Sequence, residues 1–123
     1  MILKSIWTIQ NEEKQLKEEF FRKTDALIFQ ILTNIPSDSL IHVDEKELKV
    51  IYAANDRKSL LMEKRPLATF DDYEWIVDNI PGIISAVEEI EKIQIDVMRL
   101  YIDKTKKAIE KVDKIHSALE AAL

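Results

Sequence analysis

Gly82 is the only glycine of the chain, and the 41 residues after it contain neither glycine nor proline. A stretch without these residues lacks the usual means of turning a backbone. It is therefore predicted to run as one helix from Pro81 to about residue 121, roughly 60 Å at 1.5 Å per residue. A compact domain of 123 residues has a radius of gyration of about 14 Å and hence a width of about 35 Å. The helix is longer than the body its own chain can build. A second helix, expected over residues 11–35 and roughly 36 Å long, can cover only part of it. The remainder is expected to pack against another chain.

The apolar pattern agrees. Ile83, Val87, Ile90, Gln94, Val97 and Tyr101 alternate four and three residues apart, and Thr105, Ala108, Val112, Ile115, Leu119 and Ala122 resume the alternation. Two four-residue steps meet at Tyr101, a stutter that locally unwinds a coiled coil. Leu100, Ile102 and Ile109 widen the apolar face beyond a two-stranded zipper, which suits a bundle of three or four helices. Val97, Tyr101, Thr105, Ala108, Val112, Ile115 and Leu119 are the expected oligomer interface.

The chain before Gly82 divides at Pro36. The segment "NEEKQLKEEFFRKTDALIFQILTNIPSDS" has helical periodicity through Leu16, Phe20, Leu27, Ile31 and Ile35, with Asn11 placed to cap it and Pro36 to stop it. Residues 2–9 read as a strand, with the alternative that Ile2, Ile6 and Ile9 extend the helix backward. Residues 39–80 form an insertion between the two long helices. In it "LIHV" and "LKVIYA" are β-branched and aromatic and are joined by "DEKE", which suits a hairpin. Asn55-Asp56 marks a further turn, and "SLLME" reads as a third strand. "TFDDYEWIVDNIPG" is a short helix whose Thr69 and Asp72 resemble a capping box. Its inner face is expected to carry Tyr73, Ile76, Val77 and Ile80. Pro81 breaks it and fits the first turn of the next helix. Gly82 reads as punctuation at that joint. The fold class is α+β, predominantly α: an N-terminal helix, a small antiparallel meander, a short helix and a long C-terminal helix packed on the first in a hairpin or bundle, all in one domain.

Charge and composition narrow the functions. The formal charge is −5, whereas nucleic-acid binding calls for a basic footprint. Most of the acidity lies in residues 36–80, with six basic and ten acidic groups. There is no cysteine, which removes thiol chemistry and Cys-based metal sites. A single glycine cannot build a phosphate-cradling loop. "MILKSIWTIQNEEK" has too short an apolar run for a signal peptide, and no stretch approaches a membrane span. A cytoplasmic protein is expected, and the Ile, Lys and Glu bias leans toward a thermophile.

Several side-chain groups invite a functional reading. Lys104, Lys107, Lys111 and Lys114 share one helical face, either as a stripe for an acidic partner or as solvated residues flanking the seam. Trp75 falls between the faces of its helix, as core rim or as a partner-facing aromatic. Asp71, Glu74 and Asp78 read as a solvated face favoured by the helix dipole. His42 and His116 have no second nitrogen ligand in sequence reach, so no metal or cofactor is expected.

Glu88-x-x-Glu91 and Glu110-x-x-Asp113 resemble the paired acidic motifs with which MazG-type all-α nucleotide pyrophosphohydrolases gather magnesium. The resemblance covers those four residues and implies a magnesium-dependent hydrolase. In that family the pairs sit on separate antiparallel helices, and here nothing between Lys92 and Ile109 turns the chain. The layout of two long helices flanking a β insertion is similar to that of prefoldin subunits, which implies a holdase. The insertion here is larger and adds a helix. The reading that accounts for most of the residues is a non-enzymatic, oligomerising subunit or adaptor of a protein complex, assembled through its long C-terminal helix.

Overall fold

A computed structural model describes residues 2–52 and 57–123, with Ile2 and Leu3 described by their backbone alone. The chain is α+β and predominantly α: among the described residues there are three helices, with a four-stranded antiparallel sheet between the first helix and the long last one. By internal contacts it divides into two units, Met1–Glu88 and Glu89–Leu123.

Helix α1 spans Ile2–Leu32. Residues 2–9 are thus helical, not a strand, and Asn11 lies inside the helix and does not cap it. The reason is cooperativity. Once a helix is nucleated, each added residue gains a hydrogen bond without a new nucleus, and isoleucine's propensity penalty is only a few tenths of a kcal/mol. Ile6 and Ile9 also keep the three-and-four spacing. Two i,i+4 pairs support the exposed face, Glu13–Lys17 at 3.5 Å and Glu19–Lys23 at 3.0 Å. Only the last third of α1 enters the core, through Thr24, Ile28 and Leu32, followed by Ile35. The buried Thr24 hydroxyl donates to the Phe20 carbonyl at 2.8 Å. Beyond the helix end, the Lys58 ammonium donates to the carbonyls of Thr33 (2.9 Å) and Ile35, groups a helix terminus leaves unpaired.

The sheet is a meander of β1 (Leu40–Val43), β2 (Lys46–Tyr52), β3 (Lys58–Met62) and β4 (Arg65–Pro66), in that order. Ile41 pairs with Leu48, Leu48 with Met62, and Val50 with Leu60. These residues and Val43 are all buried, while Leu40 and His42 alternate outward, as a pleat requires. The third strand is therefore present. The fourth was not anticipated: Pro66 pairs with Leu61 on an edge strand, where proline is tolerated. Both tight connections, Asp44-Glu45 and Glu63-Lys64, have positive φ at both residues. That is the primed turn whose twist matches antiparallel strands, formed here without glycine. The turn expected at Asn55–Asp56 lies outside the described residues.

Helix α2 spans Phe70–Asp78 and carries the expected capping box: Thr69 accepts from the Asp72 N–H, and Asp72 accepts from the Thr69 N–H. Asp72 does more than a cap. It is buried, takes a bidentate pair from Arg65 at 2.6 and 2.7 Å, and also accepts from the Ala68 N–H at 3.0 Å. The Arg65 hydrogen bonds hold its carboxyl well below the usual carboxylate range; the two backbone N–H groups add to this and burial opposes it. Tyr73 and Ile76 face inward as expected, but Val77 is exposed. It lies a further 100° around the helix from Ile76, past the side that meets the core.

A single residue, Asn79, joins α2 to α3 (Ile80–Ala122). Its N–H bonds back to Trp75 and Ile76, and its carbonyl accepts from Ile83. Pro81 sits in the first turn of α3, as predicted. Gly82 has a different role from the one its sequence suggested. Its φ is not positive, and a Cβ there would stand 2.9 Å from Val43 Cγ1. Glycine thus lets the start of α3 lie close against the β1–β2 hairpin, where Ile83 and Val87 complete the core. Within the same unit α1 packs chiefly on β3 and α2.

Two outcomes follow. Alanine favours a helix interior over glycine by about 1 kcal/mol, yet Gly82→Ala is expected to lower the urea midpoint, because the valine methyl is stiff about χ1. In a Val43→Ala background the same change is expected to raise it. Asp72→Asn keeps an oxygen for the cap but loses the bidentate pair, and should lower stability at pH 7 by about 1–3 kcal/mol. Because the folded carboxyl is depressed, its contribution is complete above the unfolded value near 3.9 and is lost as pH falls toward the folded one. The gap between wild type and Asp72→Asn, measured by urea unfolding, should therefore be constant above about pH 5 and narrow steadily below pH 4.

Candidate assembly surface

The second unit is the length of α3 from Glu89 to Leu123, and its helix is unbroken to Ala122. Every residue from Ile95 to Leu123 is exposed. Val97 stands 47% exposed, Tyr101 65% and Val112 64%, and Ile115, Leu119, Leu100, Ile102 and Ile109 are equally bare. Thr105 donates its hydroxyl to the Tyr101 carbonyl at 2.8 Å, so its polar group is already satisfied within the helix. Thr105 and Ala108 therefore continue the seam as small residues. All seven residues expected at an interface lie on this helix and are accessible.

Lys104, Lys107, Lys111 and Lys114 are exposed beside that seam. Lys104 lies 5.9 Å from the centre of the Tyr101 ring, a weak cation–π contact at such a wet site. Trp75 is elsewhere, in the first unit. It is half-buried, with the Lys46 ammonium 5.1 Å from its ring centre. Lys46 pairs with Val43 at the end of the hairpin and also meets the Met62 sulfur at 3.9 Å. The tryptophan thus forms a rim of the core against the sheet.

Glu88, Glu91, Glu110 and Asp113 lie on one continuous helix, with the two pairs roughly 30 Å apart along it. Among the described residues no group of three His, Asp or Glu side chains is gathered closely enough to hold a metal. His116 is 2.9 Å from Glu120 one turn on.

A cleft of about 310 Å³ opens between α1 and β3. Its charged groups are engaged with the protein. Asp25 accepts from the Tyr73 hydroxyl at 3.1 Å, Arg57 lies over the Phe29 ring at 5.6 Å, and Lys58 caps α1. Tyr73, stacked on Phe21 at 4.2 Å, has its hydroxyl pushed up to about 12, by burial first and by the Asp25 carboxylate second. This polar arrangement fastens α2 to α1.

Reading residues 2–9 as a strand concealed a further surface. Ile6, Trp7, Ile9 and Leu16 are exposed along the first half of α1. Leu16 leads to a patch with Phe20 and Phe70, whose rings are 5.2 Å apart. The spacing of Ile2, Ile6 and Ile9 was the signal for it. No protein family, curated protein or solved structure matches this chain. No helix among the described residues is long and apolar enough to cross a membrane.

Lys107→Glu with Lys111→Glu is expected to shift thermal stability by no more than about 0.5 kcal/mol, the scale of exposed substitutions. The same pair should weaken association with an acidic surface, most strongly at low salt. Loss of the folded state, seen by circular dichroism, would make the stripe structural.

Proposed function

We propose that this protein is an oligomer-forming subunit of a protein assembly, and that the outer length of α3 is its assembly surface. The observation that supports this most directly is the run of exposed apolar residues, Val97, Tyr101, Val112, Ile115 and Leu119, at helical spacing on an unbroken helix. Burying each large side chain is worth about 1.5–3 kcal/mol. Leaving several of them wet forgoes an amount comparable with the whole stability of a domain, about 5–15 kcal/mol. Scattered exposed leucines need no explanation, but a continuous stripe marks an interaction site.

A second reading has its own support. Trp7, 66% exposed, and its neighbours Ile6 and Ile9 give α1 an accessible apolar end as well, as a holdase that grips unfolded clients would require. Such a protein keeps these ends bare in its free particle, whereas an assembly subunit covers α3.

Sedimentation equilibrium at micromolar concentration separates the outcomes. A dimer or larger species is expected, returning to 14.4 kDa on replacement of Val112 and Ile115 by Asp. Both positions are exposed, so the variant should stay folded. A 14.4 kDa particle unchanged by that replacement would overturn self-assembly.

A further inference from the structure

Resting on that reading of α3, we infer that its partner is a second copy of the same helix, running antiparallel, with the two-fold axis of the pair passing at Tyr101. The seam itself is symmetric under reversal. Counting outward from Tyr101, Val97 and Thr105 are four residues away on either side, Gln94 and Ala108 seven, and Ile90 and Val112 eleven. When two such helices cross at Tyr101 in opposite directions, each of these residues lies level with its counterpart on the other copy. The layers then read Ile90 with Val112, Gln94 with Ala108, Val97 with Thr105, and Tyr101 with itself. In the Gln94–Ala108 layer a larger side chain meets a smaller one, as interdigitating layers prefer, while Val97 and Thr105 are of nearly equal size. The stutter, which would interrupt a parallel coiled coil, falls at the centre of inversion. From Ile90 to Val112 the steps average 3.7 residues, close to the period of a straight helix. The paired seam runs from Ile90 to Val112, because Ile83 and Val87, which would face Leu119 and Ile115, are already buried in the chain's own core; Ile115 and Leu119 lie beyond the pair.

Charge selects the direction. In the second unit the stretch 89–96 carries Glu89, Glu91 and Asp96 against Lys92. The stretch 106–113, which lies level with it in this register, carries Lys106, Lys107 and Lys111 against Glu110 and Asp113. The first is acidic and the second basic. A parallel pair sets acidic beside acidic and basic beside basic, whereas an antiparallel pair centred on Tyr101 sets acidic beside basic at both ends. These charges, being exposed, set direction more than affinity.

The chain has no cysteine, so single cysteines report orientation cleanly. Copies carrying Val97→Cys and copies carrying Thr105→Cys, both at exposed positions, are mixed and oxidised. A disulfide needs Cα atoms within about 7 Å. The mixed 97–105 product is expected to predominate, with little 97–97 or 105–105 product. Predominance of the two homodisulfides in a protein that still sediments as a dimer would overturn the antiparallel pairing and leave α3 as the assembly surface. A particle that remains a 14.4 kDa monomer would overturn both.

Discussion

The Asp72 carboxylate holds together three adjoining pieces of chain. Its oxygens take the Arg65 guanidinium from the end of the sheet, the Ala68 N–H from the connecting segment, and the Thr69 N–H at the start of α2. A buried charge is tolerated only when it is paired and its lone pairs are satisfied, and here both conditions hold. Arg65 is half exposed, so its own desolvation is modest. This node sets where α2 begins. With only Asn79 between α2 and α3, it also bears on where the long helix starts.

Around that node the core is small. Among the described residues its buried apolar side chains run from Ile28 to Val87. Each element contributes a few positions: the last third of α1, one face of the meander, two residues of α2 and the first two turns of α3. Close approach matters in so small a core. Gly82 brings α3 against Val43, and the Lys58 ammonium closes the end of α1 where carbonyls would otherwise lack partners. The remaining apolar residues, on the outer parts of α1 and α3, are bare in the single chain. The same chain thus combines a satisfied core with an unsatisfied helical surface, and we read the second as the working part of the molecule.

The lysine stripe illustrates how a bland and a specific reading can converge. Solvated lysines beside an apolar seam are common, and nothing in the exposure of Lys104, Lys107, Lys111 and Lys114 distinguishes them from such a face. What sets them apart is their place in the sequence: they follow the acidic stretch 89–96 on the same helix, so a second copy laid against the first in reverse brings the two stretches level.

Local rules carried much of the fold. The absence of breakers after Gly82, the box formed by Thr69 and Asp72, the place of Pro81 in the first turn of α3 and the alternation in "LIHV" and "LKVIY" are interactions within a few residues, and sequence is sufficient for those. The exposed seam of α3 was legible for the same reason, as a periodicity. Long-range contacts were not legible. The bidentate Arg65–Asp72 pair depends on a fourth strand two residues long. The Tyr73–Asp25 hydrogen bond joins residues 48 apart. Gly82 is required by a valine methyl on a hairpin far from it in sequence. Residues 2–9 could satisfy a strand or a helix by pattern alone, and the helix beside them, already nucleated, decided between the two. A sequence fixes which backbone states are cheap at each position; which of them meet is settled only when the chain closes on itself.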